Sequence, residues 1–131
     1  MIREEKDLLL KDLCARLPYG VKIELTWWVM GEGMYINTTL EPDHIEQLLN
    51  DEDGDTEIKP YLRPMSSMSG EEIKKYKSLN DALDENYEVH IDNAYPAFDW
   101  LNEHHFDYRG LIDKGLAIEV TEENNPYLAR K

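Results

Sequence analysis

The chain has 131 residues, enough for one domain with a sizeable core and too few to divide comfortably into two. Its net charge of −14 argues against direct binding of nucleic acid or an anionic membrane, because both need a basic surface. The 41% hydrophobic content, with three Trp and eight Tyr, is too rich for intrinsic disorder, yet no run approaches the roughly 20 apolar residues of a membrane helix.

Only one cysteine is present, Cys14, so neither an internal disulfide nor a Cys-based metal cluster can form. A reduced, cytoplasmic setting is the expectation. Leu8 to Leu10 is too short an apolar run, and too closely flanked by charge, for a signal peptide.

In chain order, Glu4 to Leu17 predicts an amphipathic helix with Leu9, Leu10, Leu13, Cys14 and Leu17 on one side and Arg3, Lys6, Asp7, Lys11 and Asp12 on the other. Cys14 on that apolar side reads as an inert core thiol. Pro18, Tyr19 and Gly20 stop the helix. Val21, Ile23, Leu25 and Trp27 then alternate with Lys22, Glu24, Thr26 and Trp28, the period of a half-buried strand. Gly31 to Gly33 follow as a turn, and Met34 to Leu40 offers a second strand, which together make a β-hairpin. Adjacent Trp27 and Trp28 face opposite ways, so one is exposed unless both faces of the sheet are covered; an exposed Trp28 would mark a partner surface.

Pro42 to Asn50 predicts a short helix, and Asp51 to Asp55 an acidic turn. Glu57 to Arg63 reads as extended, because Pro60 and Pro64 push Lys59 and Arg63 away from helical angles, and Pro60 confines any strand here to an edge or an interruption. Ser69 and Glu72 form an S-x-x-E capping box for a helix from Gly70 to Leu79 or beyond. Tyr87, Val89 and Ile91 predict a further strand over 87–92. A helix starting at Pro96 places Ala97, Trp100, Leu101 and His104 on one face and Asp99, Asn102 and Glu103 elsewhere. Phe106 and Tyr108 then anchor a corner, Gly110 and Gly115 permit tight bends, and Leu116 to Val120 reads as a last strand. The tail after Thr121 is polar and expected to fray, apart from Tyr127 and Leu128. The fold class expected is a single α+β domain over residues 1–131: an N-terminal amphipathic helix, a small, mostly antiparallel sheet from residues 21–28, 34–40, 87–92 and 116–120, and two or three further helices.

Charge is unevenly distributed. Glu41 to Glu57 and Asp81 to Asp107 each hold eight acids and no Lys or Arg, while Ile58 to Lys77 carries Lys59, Arg63, Lys74, Lys75 and Lys77 against Glu71 and Glu72. Either the basic block neutralises its neighbours in the fold, or the surface is polarised and steers a basic partner.

Three segments, KDLCARLPYGVK (Lys11 to Lys22), IKPYLRPMSSM (Ile58 to Met68) and DWLNEHHFDYRGLI (Asp99 to Ile112), resemble a family of small uncharacterised proteins of Bacteroides-type gut bacteria and their phages. The resemblance covers roughly a third of the chain and excludes residues 24–57 and the segment after 121. It implies a bacterial or phage origin and a cytoplasmic setting, and it carries no activity or site residues.

Four side chains, His104, His105, Asp99 and Asp107, hold the atoms needed for a metal site or a general acid/base pair. Adjacent histidines on a helix point about 100° apart, however, so the competing reading is one histidine against Trp100 and the other in a cap or surface hydrogen bond. Asp51, Asp53 and Asp55 imitate the start of a calcium loop, but Thr56 stands where that loop needs glycine and Leu62 where it needs glutamate, so the motif reads as a solvated turn, and its three carboxylates with Trp28 are the candidates for a partner surface. Lys59, Arg63, Ser67 and Ser69 could present cations and hydroxyls to an anion, or could be used up in capping and ion pairs. Arg109 reads as a guanidinium tying the aromatic corner to a carboxylate or to carbonyls.

No cofactor or metal is expected. The sequence favours a non-enzymatic protein-binding or accessory factor, one version being an acidic decoy for a basic protein surface. The alternative is a small enzyme or ligand or metal binder built on the His104/His105 and carboxylate cluster.

Overall fold

The computed structural model describes residues 3–51, 56–84 and 91–127, the side chains of 80–84 and 91–96 excepted. The described residues form α1 (Arg3–Arg16), β1 (Lys22–Val29), β2 (Glu32–Thr39), α2 (Pro42–Asn50), β3 (Thr56–Pro64), α3 (Gly70–Asp84), α4 (Ile91–Glu103), β4 (Phe106–Asp107) and β5 (Ile118–Glu119). The architecture is the expected α+β class, with four helices and a mixed five-stranded sheet of order β2-β1-β3-β4, β5 pairing separately with β3. No described helix is long and apolar enough to cross a membrane.

Helix α1 buries Leu9, Asp12, Leu13 and Arg16, an i, i+3, i+4, i+7 stripe whose two charged members reading by hydropathy leaves outside. Cys14 lies about 100° past Leu13 and is exposed, which corrects its expected place in the core. A short 3-10 turn over Leu17–Tyr19 and Gly20 at φ 68° end the helix and turn the chain into β1. On β1, Ile23 and Leu25 face the core with Ile58 and Leu62 of β3, and Leu9, Leu13, Leu40, Leu48, Leu111 and Leu116 close over them. Each such fully buried leucine contributes about 2 kcal/mol.

The hairpin turn is Met30–Gly31, at φ 52° and 83°, and not the expected Gly31–Gly33. Both central residues need positive φ for the two-residue turn whose twist matches the strands, so Val29 pairs with Glu32 and Gly33 becomes part of β2. There a side chain would meet the Trp28 indole, 3.7 Å from an added Cβ.

Strand β3 lies inside the sheet order and not on its rim, yet Pro60 is accommodated. Pairing with β1 ends at Pro60, opposite Ile23, and parallel pairing with β5 begins at Tyr61 and with β4 at Arg63. The proline sits where the strand changes partners, so its missing N–H removes no ladder bond there.

Two expectations around α4 are corrected. The helix begins at Ile91, so Pro96 falls inside it, where it removes one internal hydrogen bond instead of starting the helix. Of the strand expected at 87–92, Ile91 and Asp92 are helical and the remainder lies outside the described residues. The capping box at Ser69 is formed: the Ser69 N–H donates to Glu72 Oε1 at 2.9 Å and the Glu72 N–H to Ser69 Oγ at 3.2 Å.

Candidate functional site

The corner Phe106 to Arg109 is tied to α1 by a buried ionic cluster. Asp12 and Arg16, four residues apart on one helix face, are both fully buried, and Arg16 Nε donates to Asp12 Oδ2 at 2.7 Å. Arg16 Nη2 donates to the Phe106 carbonyl at 2.6 Å, and Arg109 Nε donates to the other Asp12 oxygen at 3.2 Å. Burial raises the Asp12 pKa even against the two guanidiniums. Asp107 is buried and accepts the backbone N–H groups of Leu111 and Ile112 at 3.0 and 2.9 Å, so it caps the following turn. Asn102, expected on the polar face of its helix, is instead buried and accepts the Tyr108 hydroxyl at 2.9 Å.

The two histidines stand apart in role. His104 packs on Trp100 at 4.6 Å, and His105 stacks on Tyr127 at 3.9 Å with an interplanar angle of 10°. His105 adopts φ 65°, and its Nδ1 is buried with no partner among the described residues. Burial, followed by the nearby positive Arg16, lowers its pKa to about 4. Asp99 is exposed and engages the Tyr19 hydroxyl. Among the described residues no group of three or more His, Cys, Asp or Glu side chains is placed to hold a metal ion.

The residues read as an anion site are engaged within the fold. Lys59 pairs with Glu57 at 3.2 Å. Arg63 grips Glu72 through Nη1 at 2.9 Å and Nη2 at 2.7 Å, and its guanidinium lies 4.2 Å from the centre of the Phe106 ring. Ser67 Oγ donates to the Pro64 carbonyl, and Ser69 caps α3. The Arg63 hydrogen bonds hold Glu72 down to a pKa of about 2. Of the acidic turn, Asp51 accepts the Thr56 N–H at 3.0 Å, while Asp53 and Asp55 lie outside the described residues.

Tyr127 has a part that the polar tail around it conceals. Ile23 pairs with Pro60, so the next rung of the ladder would join Lys22 to Tyr61. The Tyr127 hydroxyl stands in that rung: it accepts the Lys22 N–H at 2.9 Å and donates to the Tyr61 carbonyl at 2.6 Å.

The most open chemistry is on the hairpin. Trp28, Val29, Met34 and Ile36 are close to half exposed, Tyr35 more so, and Met30 fully. The core face of the sheet continues past its covering helices through Trp27, Val29, Met34 and Ile36, while Trp28 and Tyr35 lie on the opposite face. Leu25 to Leu40 carries one charged residue, Glu32, in a chain that is 32% charged. The Leu40 N–H donates to the Val21 carbonyl. Main-chain groups alternate sides along a strand, so Met34 and Ile36 of β2 bond to β1, whereas Gly33, Tyr35 and Asn37 direct N–H and C=O to the open edge. That edge has neither Lys nor Pro to block it.

Sequence reasoning singled out Trp28 and missed Met30, Met34, Tyr35 and Ile36. The signal was available in the near absence of charge across both strands. Comparison with protein-family models, with curated proteins and with solved structures finds no match.

Proposed function

We propose that this chain is a protein-binding accessory factor, acting in the cytoplasm of a bacterial or phage-infected cell, that takes an extended segment of a basic partner as an added strand along β2. The observation that carries this reading is the open, eight-residue β2 edge flanked by the exposed Trp28, Met34, Tyr35 and Ile36. Strand addition draws affinity from main-chain hydrogen bonds and selectivity from alternate side chains, and this edge offers both. The chain's net charge of −14, to which the hairpin from Leu25 to Leu40 contributes only Glu32, favours a partner whose apolar strand is flanked by Lys or Arg. The acidic surface steers approach, and the hairpin holds the complex.

Tyr35→Pro tests this directly, because the Tyr35 N–H points to the open edge and its loss leaves the ladder with β1 intact. Wild type, Tyr35→Pro and Trp28→Ser would be used as baits in host lysate at low and high salt, with mass spectrometry of retained proteins. The expected result is a basic protein retained by wild type, more strongly at low salt, and lost from both variants while their melting temperatures stay near wild type. An identical retained set on all three baits would refute strand addition.

A further inference from the structure

A second concave site lies away from the hairpin, between α1 and α4, and it is independent of the strand-addition reading. It is an open cleft of about 510 Å³ lined by Lys11, Tyr19, Phe98, Asp99, Tyr108 and Arg109, among others. Its size falls within the range of small-ligand pockets. Three of these six residues are aromatic; the Phe98 and Tyr108 rings lie 5.5 Å apart, tilted by 49°, and the Phe98 ring is about half exposed.

The polar groups define what such a ligand would carry. Arg109 is held from behind: Nε donates to the fully buried Asp12, and Nη2 donates to the Tyr108 hydroxyl at 3.1 Å. Its guanidinium also lies 4.8 Å from the centre of the Tyr108 ring, so its orientation is fixed before anything binds. Two of its five N–H donors are thereby used among the described residues. Asp12 serves two guanidiniums, and Asp107 is turned to backbone amides, so Arg109 keeps positive charge to offer. Lys11, exposed at the same cleft, makes no ion pair among the described residues. Asp99 lines the same cleft beside Tyr19, whose pKa burial and the Asp99 charge both raise, and would repel a ligand anion toward Arg109 and Lys11.

We propose that this cleft binds a small planar aromatic carboxylate, its ring against Phe98 and Tyr108 and its carboxylate on Arg109 and Lys11. An oriented guanidinium with unused donors suits a carboxylate, and flanking aromatic faces select a flat ring over a saturated one.

The test is a titration of the full chain with benzoate, followed by backbone and arginine side-chain NMR, beside the neutral benzamide and the non-planar cyclohexanecarboxylate. Saturable shifts at Lys11, Tyr19, Phe98, Tyr108 and Arg109 are expected, with affinity at least about tenfold weaker for either comparison compound. Arg109→Gln should weaken benzoate by about tenfold or more, and Lys11→Gln by about threefold. Removing Arg109 also takes a partner from buried Asp12, so the exposed Lys11→Gln and Phe98→Ala variants keep the test open if Arg109→Gln fails to fold. The absence of saturable shifts up to about 20 mM benzoate, shifts confined to other surfaces, or equal binding of benzamide would each overturn the proposal.

Discussion

Replacing Tyr127 by Phe removes one oxygen from the strand junction and leaves the aromatic ring in place against His105. That oxygen satisfies two main-chain groups, the Lys22 N–H at 2.9 Å and the Tyr61 carbonyl at 2.6 Å. Each buried main-chain group left without a partner costs about 1 to 3 kcal/mol, and partial closure of the rung or entry of a water recovers part of it. The expected loss is therefore about 2 kcal/mol. At about 2.1 cal/mol/K of unfolding entropy per residue, a chain of 131 residues gives about 0.28 kcal/mol/K, so the melting temperature should fall by about 7 °C. Urea unfolding followed by Trp fluorescence measures the change, and the m-value should not move, because the surface exposed on unfolding is the same. Tyr127→Ala should cost more, since it also removes the ring stacked on His105 at 3.9 Å. A Tyr127→Phe variant within about 0.5 kcal/mol of wild type would refute the bridging role of the hydroxyl.

Acidification should destabilise the fold in two overlapping stages. His105 has its pKa lowered from 6.5 to about 4, so the unfolded chain binds the extra proton first; stability is complete above about pH 6.5 and is lost as pH falls toward 4, by about 1 to 2 kcal/mol after allowance for partial exposure. His105→Asn, which tolerates the positive φ, should flatten denaturation curves over that window. Glu72, lowered from 4.5 to about 2, contributes stability that is present above about pH 4.5 and lost toward 2, and Glu72→Gln should cost about 1 kcal/mol at pH 7 and remove that lower stage. Met30→Asn should stabilise the hairpin by about 0.5 to 1 kcal/mol, because Met30 is fully exposed at φ 52° where asparagine is favoured; a lower thermal midpoint would contradict this account of the turn.

Regular elements were legible where local chemistry and packing agree. Alternation along Val21 to Trp28 marked β1, and Ser69 with Glu72 marked the start of α3, because period and cap chemistry act within a few residues. Pro96 misled because its preference for a first turn is local, whereas the observed α4 begins five residues earlier. Pro60 was legible as an interruption: a proline bars a strand from continuous pairing on both sides, and β3 changes partners at that residue. The candidate site was less legible. Asp12 and Arg16 look like an exposed i, i+4 pair until the helix phase set by Leu9 and Leu13 is known, and Tyr127 looks like part of a polar tail. A hydroxyl completing a ladder between Lys22 and Tyr61 depends on contacts 105 and 66 residues apart, which no local pattern encodes.

The cluster of Asp12, Arg16 and Arg109 has a meaning beyond stability. Removing two or more charges from water costs as much as their attraction returns, so well-packed apolar side chains in their place would be similarly stable. What apolar replacements could not do is fix direction. Asp12 accepts from guanidiniums on α1 and on the corner after β4, while Arg16 also donates to the Phe106 carbonyl, so the cluster sets how that corner meets α1. The same contacts orient Arg109 and the Tyr108 ring along the cleft, and the arrangement extends through Phe98 of α4. An Asp12→Asn variant separates the two roles. It keeps the volume and one acceptor oxygen but leaves the fully buried Arg16 without its countercharge, so it should cost about 3 to 5 kcal/mol and, while the chain stays folded, weaken the restraint on both guanidiniums. Benzoate affinity should then fall while Lys11→Gln still causes its threefold loss, because the Lys11 charge does not depend on Asp12.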